Sequence, residues 1–331
     1  MKNRFSHSHG LPGDFHLLQN ADFRTAATHL YTLCGWQTRS EIPLTGVPTS
    51  SDEGSGIDIL IQLAPGRSPI TEKQESLSLE HSVECSRIRI ESVADFEVHR
   101  GQQIRVWPAA GATQKDIEIF LFGPVWATLC HQRGLLPLHA SAILGDGRIT
   151  AFAGSSGVGK STVAAMMSSL DHELLADDIL TISFDQNSIP GAWPYIRRLK
   201  LRSDSITQLA LTSAASVSER LDKEKYFVQP KCMAADRWYR FERLYLLEID
   251  PISTRNSIDR IVGAEAVRAL IGHTYHFNFV VGTKRFNDHL KFCTQLASKI
   301  AIYRLRRSLL AGAGKKLASL IRAHLKDGSA L

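Results

Sequence analysis

The chain has 331 residues and a mass of 36.7 kDa, about twice the usual length of one domain, so we expect one large domain and one smaller domain. Apolar residues make up 44% of the chain and charged residues 22%, a composition that is typical of globular proteins and excludes disordered and fibrous classes. The net charge of +6 arises entirely after residue 300, where seven Lys or Arg residues accompany one acid, Asp327.

No stretch of the sequence has the length of a membrane-spanning helix. The most apolar charge-free stretch, Ile119–Cys130, has 12 residues and contains Gly123 and Pro124, whereas a spanning helix needs about 20 residues. The first residues lack the apolar core of a secretory signal. We therefore expect a cytoplasmic protein with no membrane insertion and no nucleic-acid partner.

Residues 1–110 are predicted to form a small β-rich N-terminal domain. Short apolar runs such as Ile57–Leu63 and Ser86–Phe96 alternate there with turn-forming stretches. Residues 111–135 predict a buried connecting helix, because apolar residues lie on most of its sides. The Gly123-Pro124 pair predicts a kink within this helix.

Residues 136–300 are predicted to form the catalytic domain, which begins with a hairpin. The apolar run Leu135–Ile143 leads through a tight turn at Gly145–Gly147 into a second apolar strand. This places His139 on the first strand of the hairpin. A single histidine on an apolar strand is more often a hydrogen-bonded core residue than a catalytic one, so the pattern alone leaves its role open.

A glycine-rich loop follows the hairpin. The apolar run Ile149–Ala153 precedes a match to G-x-x-x-x-G-K-[ST], and residues of helical composition follow it, which is the strand, loop and helix context that phosphate-binding loops require. Backbone N–H groups in such a loop bind nucleotide phosphates, the lysine neutralises phosphate charge and the following hydroxyl binds Mg²⁺. We therefore predict that ATP binds at Gly154, Ser155, Ser156, Gly157, Val158, Gly159, Lys160, Ser161 and Thr162, with Ser161 on the metal.

Two adjacent acids, Asp177 and Asp178, stand within the next apolar segment, 17 residues or so after the loop lysine, Lys160. Neighbouring side chains on an extended strand point to opposite faces. One carboxylate is thus expected to serve the metal and the other the substrate.

The end of the chain predicts one or two amphipathic helices. Over residues 301–331, apolar residues recur at spacings near 3, 4 and 7, and the opposite side is basic. We therefore predict a basic amphipathic helical tail, whose outer face is either a solvated surface or a landing surface for an acidic peptide or another polyanion. The apolar positions are Leu309, Leu310, Leu317, Leu320, Ile321 and Leu325.

Three of these segments together resemble a known family. Leu138–Ala142, the loop Gly154–Ser161 and Ala176–Asp178, in that order and spacing, are similar to the catalytic domain of bacterial HPr serine kinase/phosphorylase over roughly residues 132–300. The resemblance implies an α/β fold with a mixed sheet and helices, shared with phosphoenolpyruvate carboxykinase.

The resemblance also implies a role for each matching residue. Lys160 would bind nucleotide phosphates, and Ser161 would bind Mg²⁺. Asp177 would be the base that activates a serine hydroxyl, with His139 beside it, and Asp178 would be a further metal contact.

The chain departs from this family at Leu199–Asp204, where the family carries a glutamate that contributes a carboxylate to the metal. Here Lys200 stands at that position, while Arg202 persists. We therefore predict a kinase that lacks the family's phosphorolysis activity.

Four other stretches are His131–Gly134, Arg198–Ser205, Glu224–Tyr226 and Tyr303–Leu305. They resemble a divergent branch of HPr-kinase-like proteins that includes the kinases of lasso-peptide gene clusters. The branch resemblance implies a substrate, the C-terminal serine of a precursor peptide, and homo-oligomers occur among such relatives. Arg198, Arg202 and Lys225 are candidates to bind phosphate or the peptide carboxylate.

Two alternatives stay open. One is an HPr kinase that regulates carbohydrate uptake, and the other is a nucleotide-gated module that binds a peptide without phosphorylating it. A GTPase is not favoured because the sequence lacks a guanine-reading Asn-Lys-x-Asp segment, and a transporter ATPase is not favoured because it lacks a Leu-Ser-Gly-Gly-Gln signature.

Overall fold

The computed structural model describes residues 28–51, 54, 56–70, 77–196, 198–211, 215–218, 222–308 and 313–327. Its first seven strands form one sheet in the order β1-β2-β3-β7-β6-β5-β4. The β-rich character predicted for residues 1–110 is present in their described part, whereas the boundary at residue 110 stays a prediction. The strands are β1 (His29–Leu33), β2 (Trp36–Ser40), β3 (Ile59–Leu63), β4 (Leu77–Glu80), β5 (Cys85–Ile90), β6 (Ala94–His99) and β7 (Gln103–Pro108).

A broken helix follows this sheet. It consists of α1 (Gln114–Phe120), a π-helical turn (Leu121–Val125) and α2 (Trp126–Gln132). The predicted kink is confirmed, because Gly123 has φ −111° and ψ −111°, outside the helical region, immediately before the proline. Every residue from Trp126 to His131 is buried, which agrees with the prediction of a buried connecting helix.

The remaining strands belong to two further sheets. They are β8 (Leu136–Leu138), β9 (Ala140–Gly145), β10 (Arg148–Ala153), β11 (Glu173–Ala176), β12 (Leu180–Phe184), β13 (Pro190–Ala192), β14 (Leu199–Arg202), β15 (Ala215–Ser218), β16 (Asp222–Val228), β17 (Tyr239–Asp250), β18 (Ser257–Ile261) and β19 (Ala301–Ser308). Strands β14, β16 and β15 form a small antiparallel sheet.

The other nine of these strands form a mixed sheet. Its centre is parallel, because β17 pairs in parallel with β10 on one side and with β19 on the other. Antiparallel strands flank this centre, including the β9–β10 hairpin that the sequence predicts, in which Gly145 pairs with Arg148. The carboxyl ends of β10, β17 and β19 therefore meet at one edge, which is where open α/β sheets place their ligands.

Helices cover this mixed sheet and the loops between its strands. They are α3 (Lys160–Ser168), α4 (Ser203–Gln208), α5 (Gly263–Gly272), α6 (Asn278–Gly282), α7 (Phe286–Ala297) and α8 (Ala313–Asp327). Among the helices that the structure describes, none is both long enough and apolar enough to cross a membrane.

The prediction of a helical tail over 301–331 is wrong for its first eight residues, which form β19. Ile302 and Leu305 are buried there, beside Leu244 and Leu247 of β17. Pairing with a distant central strand thus decides the structure of this segment, and no helical spacing within it can reveal that. Helix α8 confirms a helix over Ala313–Asp327. The predicted positions Leu309 and Leu310 lie outside the described residues, and the role of the basic face stays a prediction.

One hydrophobic core joins the first sheet to the mixed sheet. Trp126 of α2 is fully buried between them. Its ring is stacked on Tyr195, with ring centroids 5.3 Å apart, and tilted against Trp36, with ring centroids 5.8 Å apart. A second core lies around α3, between the mixed sheet and α8, and includes Val163, Leu305 and Ile321. Close packing in these two cores fixes the positions of the parallel strands, whose carboxyl ends meet at one edge of the sheet.

Candidate functional site

The glycine-rich loop connects the end of β10 to the start of α3, so the predicted strand and helix are both present. Gly154, Gly157 and Gly159 have φ values of 151°, 81° and 105°, in the region that favours glycine. At Gly154 a Cβ atom would lie 2.7 Å from the Leu247 carbonyl oxygen. Only glycine therefore lets the chain leave the sheet at this point. Ser155, Ser156 and Gly157 are exposed, whereas Val158 is buried and anchors the loop.

Lys160 begins α3 and lies folded against the loop. Its Nζ donates to the carbonyl oxygens of Gly154 at 3.0 Å and Ser155 at 3.3 Å, and the residue is only 8% exposed. Burial lowers the pKa of the ammonium, and the nearby carboxylates of Asp178 and Asp177 oppose that shift. A phosphate in the loop would satisfy the same donor group.

Asp177 follows β11 and faces the first turn of α3. Its Oδ1 accepts hydrogen bonds from Ser161 at 2.8 Å and from Ser141 at 2.5 Å, while Oδ2 accepts from the Lys200 backbone N–H at 2.9 Å. The residue is 4% exposed, and burial raises its pKa against the effect of these donors. A carboxylate and a hydroxyl at hydrogen-bond distance are hard oxygen donors, so Ser161 and Asp177 fit a magnesium ion that also binds phosphate.

Asp177 and Asp178 lie in the bend that follows β11, with Asp178 at φ 78°, and not on an extended strand as the sequence predicts. Asp178 lies next to Lys200 and His139. Its Oδ2 accepts from Lys200 Nζ at 3.2 Å, and its Oδ1 lies 3.8 Å from His139 Nε2, beyond hydrogen-bond distance. Burial raises the pKa of Asp178, but the nearby Lys200 and His139 outweigh this effect and hold that pKa below its ordinary value. The side chain is 28% exposed, so this carboxylate is both ionised and accessible.

His139 lies at the break between β8 and β9, and not within one continuous strand as the sequence predicts. The reason is that its backbone N–H donates to the His273 carbonyl oxygen at 2.8 Å, outside the ladder of the hairpin. The imidazole stacks on Tyr275 with ring centroids 5.1 Å apart. Burial lowers the pKa of His139 to about 4, so the ring is neutral at pH 7.

A cleft of about 440 Å³ opens between the glycine-rich loop and the segment after α5. His139 and the loop residues line one wall, and the residues that follow α5 line the other. The lining residues are His139, Gly154, Ser155, Ser156, Gly272, His273, Thr274, Tyr275 and His276. A cavity of this size accommodates a small-molecule ligand.

The second wall is backed by His81, from the loop before β5. The His81 ring lies edge-on to His276 at 5.1 Å and to Phe279 at 5.3 Å, and both ring nitrogens are buried without a hydrogen-bond partner. Burial lowers the pKa of His81 below its ordinary value of 6.5. Protonation therefore favours the unfolded chain, and the free energy of unfolding should fall as the pH drops below about 6.5.

We expect His81→Phe to raise the free energy of unfolding by about 1 kcal/mol at pH 7, because it removes two buried polar atoms that lack partners. The variant should also lose less stability than the wild type between pH 6.5 and pH 4. Urea unfolding at a series of pH values measures both effects. His29→Phe on β1 is the control, and an equal pH dependence in wild type and His81→Phe would contradict the expectation.

The three cations predicted to bind phosphate or carboxylate differ in position. Lys225 of β16 lies opposite Arg202 of β14 and close enough to Lys160 to lower the pKa of that residue. Arg198 is buried: it lies 3.5 Å from Glu118, and its guanidinium covers the Phe227 ring at 3.9 Å. These contacts explain Arg198 as a packing residue, so we do not include it in the site.

Sequence reasoning does not select several residues that the structure brings to this site. Ser141 stands two positions after His139, and this spacing is the one sequence feature that could have indicated that Ser141 belongs to the site. Lys200 contacts both acids, although the sequence marks it only as the place of a missing glutamate. Tyr275 and Arg307 come from distant segments and carry no local signal.

One other group could hold a metal within the part of the chain that the structure describes. The ligand atoms of Cys85, Glu97 and His99 lie within 4.8 Å of one another. Arg87 and Arg105 already pair with Glu97, and burial with the Glu97 charge raises the pKa of the Cys85 thiol to about 11. The cluster is thus explained as an ion-paired network on the first sheet.

No family model and no curated protein matches this sequence. Among solved structures, the chain is similar to the HPr(Ser) kinase/phosphatase from Coxiella burnetii, with 12% sequence identity and a TM-score of 0.30. The alignment covers 58% of this chain and 92% of that chain. The similarity is distant.

Proposed function

We propose that this protein is an ATP-dependent kinase that transfers the γ-phosphoryl group to a serine hydroxyl of a peptide. The observation that carries the proposal is the division between two adjacent acids beside a glycine-rich loop. Asp177 is hydrogen-bonded to Ser161 at 2.8 Å, while Asp178 Oδ1 lies 3.8 Å from Nε2 of His139, which lines the cleft. Phosphoryl transfer needs both a metal-side carboxylate and a carboxylate for the attacking hydroxyl.

In this proposal Ser161 and Asp177 hold the magnesium ion, which when bound neutralises charge on the nucleotide phosphates. Ser141 and the Lys200 backbone N–H orient Asp177 from the other side. Lys160 leaves the carbonyl oxygens of the loop and binds the phosphates. These residues supply most of the electrostatic stabilisation of the transition state.

Asp178 accepts the proton of the acceptor hydroxyl. As the hydroxyl oxygen forms its bond to the γ-phosphorus, the bond from that phosphorus to the β–γ bridging oxygen breaks, and ADP leaves with the electron pair. The proton stays on the Asp178 carboxylate. The contacts thus favour the reverse of the roles that the family resemblance implies for Asp177 and Asp178.

His139 acts as a neutral neighbour of Asp178 in this scheme. Its ring is stacked on Tyr275, so it limits the directions from which a hydroxyl can reach the carboxylate. Lys200 Nζ, 3.2 Å from Asp178, keeps that carboxylate ionised before transfer. It occupies the place of the acid that the resemblance associates with phosphorolysis, which supports an enzyme that works as a kinase only.

The acceptor that we propose is the C-terminal serine of a lasso-peptide precursor. Its support is the sequence resemblance at His131–Gly134, Arg198–Ser205, Glu224–Tyr226 and Tyr303–Leu305. The cations Lys225 and Arg202, which stand opposite each other on the small sheet, add to that support. A peptide that ends in serine presents its hydroxyl close to a terminal carboxylate. Paired cations beside the site would bind that carboxylate.

Intact-mass spectrometry of two acceptors tests the proposal. A lasso precursor peptide that ends in serine and an HPr protein are each incubated with ATP and Mg²⁺. We expect an added phosphate on the peptide with wild-type protein, and about a 10³-fold slower reaction with Lys160→Ala, because the variant lacks the charge next to the phosphates. Lys299→Ala, an exposed lysine at the end of α7, is the control and should retain the wild-type rate.

The outcomes separate the candidate functions. Phosphate on HPr alone would move the protein to the regulation of sugar uptake. Nucleotide binding without phosphate on either acceptor would favour a nucleotide-gated binding module. Equal rates for Lys160→Ala and wild type would contradict the proposed site.

A further inference from the structure

The guanidinium group of Arg307 lies against the glycine-rich loop. A Cβ atom built on Gly159 would lie 3.3 Å from Arg307 Nη1 and 3.6 Å from Cζ. Gly159 is the residue immediately before Lys160 and the start of α3. An arginine from a segment about 150 positions away therefore reaches the part of the loop that carries the phosphate-binding lysine.

The sheet topology explains this position. Arg307 is the penultimate residue of β19 and pairs with Ile249 near the end of β17. Strands β10, β17 and β19 run parallel, so the end of β19 and the loop that leaves β10 lie at the same edge of the sheet. This edge is where ligands of open parallel sheets bind.

Arg307 differs from the other arginines of its strand in having no anionic partner among the described residues. Arg304 pairs with Glu248 and Glu265, and Arg306 pairs with Asp259 at 2.6 Å. The Nε atom of Arg307 is buried without a hydrogen-bond partner. Burial also lowers the pKa of its guanidinium.

Arg307 is partly buried, and a guanidinium with a buried nitrogen that lacks a hydrogen-bond partner is unfavourable for the folded protein. Such a group is stabilised when an anionic ligand arrives, and guanidinium binds phosphate oxygens through two donors at once. The nearest structural element that is built to take an anion is the loop itself. A phosphate bound in the loop would therefore explain both the position of Arg307 and its lack of an anionic partner among the described residues.

We infer that Arg307 binds the phosphate chain of the nucleoside triphosphate from the side of β19, opposite the acids Asp177 and Asp178. This inference rests on the proposed nucleotide site. It assigns a second cation to the phosphates besides Lys160, and it gives β19 a direct part in ligand binding.

Nucleotide affinity of the full chain tests the inference. Dissociation constants for ATP and adenosine are measured by competition against a fluorescent mant-ATP probe, in wild type, Arg307→Met, Arg307→Lys and Arg306→Met. We expect Arg307→Met to weaken ATP binding by about 10- to 100-fold, as for loss of a charge-assisted hydrogen bond, and to leave adenosine binding unchanged. Arg307→Lys should restore part of the affinity, and Arg306→Met should bind as wild type does.

A thermal unfolding scan without nucleotide accompanies these measurements. The midpoint for Arg307→Met should equal or exceed that of the wild type, because the variant removes a buried Nε–H donor that lacks a hydrogen-bond partner. If Arg307→Met bound ATP as tightly as the wild type does, the inference would be overturned while the proposed function would stand. An equal loss for ATP and adenosine would also overturn it, since Arg307 would then serve the base.

The proposed function fails in a different way. If neither the wild type nor Lys160→Ala binds the mant-ATP probe, the proposed nucleotide site is wrong. The ligand that we assign to Arg307 is then wrong as well. If the wild type binds ATP and Lys160→Ala does not, the site stands, and the Arg307 variants decide the inference.

Discussion

Replacing Asp178 by asparagine should lower kcat for phosphoryl transfer by about 10³-fold, the usual effect of losing a general base, with little change in ATP affinity. The reason is that Asp178 lies next to His139, which lines the cleft, whereas the carboxylate that accepts from the Ser161 hydroxyl is that of Asp177. Asp177→Asn should instead weaken Mg²⁺-dependent ATP binding, because its carboxylate is hydrogen-bonded to the Ser161 hydroxyl. Steady-state kinetics and ATP titrations at several Mg²⁺ concentrations measure the two effects.

The two asparagine variants serve as controls for each other, because the substitutions are isosteric and adjacent. Thermal unfolding of both checks that Asp177→Asn, at a buried position with three donors around it, still folds. If Asp177→Asn lost turnover with unchanged Mg²⁺ dependence, while Asp178→Asn kept its turnover, the roles would be those that the sequence resemblance implies.

Gly154→Ala should lower the free energy of unfolding by about 3 kcal/mol and abolish nucleotide binding. A Cβ at this position would lie 2.7 Å from the Leu247 carbonyl oxygen and 2.8 Å from Val158 Cγ1, and φ is 151°. Overpacking and backbone strain each cost about 1–3 kcal/mol. The neighbour that would have to move is backbone of the central strand β17, which is fully packed.

Gly157→Ala is the matched control for this variant. Gly157 has φ +81°, but a Cβ there would meet nothing within 4 Å, so its loss should be limited to about 1 kcal/mol of backbone strain. Urea unfolding measures both variants. Equal losses of stability in the two would show that contact with β17 is not what requires glycine at position 154.

The features that could be predicted from the sequence are those with local causes. The loop between β10 and α3, the kink at Gly123 and the β9–β10 turn each follow from glycine, proline or a short spacing. The pairing of β19 with β17 could not be predicted, because it joins segments about 60 residues apart and depends on a hydrophobic pattern that also fits a helix. The hydrophobic spacing of 301–331 is satisfied by a strand followed by a helix.

The candidate site shows the same limit. Asp177, Asp178, Lys160 and Ser161 stand in recognisable motifs, and their proximity was expected. Their orientation was not, because it depends on Lys200, which donates to one acid through its backbone and to the other through its side chain. A substitution that looks like the loss of a ligand in the sequence is, in three dimensions, a new ion pair.

The buried position of Trp126 between the two large sheets restricts how the protein can move. Its ring packs against both Tyr195 and Trp36. Sliding one sheet over the other would leave a cavity around the indole ring, which close-packed interiors resist. We therefore expect no hinge motion between the two large sheets. Any rearrangement on ligand binding has to come from parts outside this contact, namely the glycine-rich loop, the His273–His276 wall and the small sheet of β14–β16.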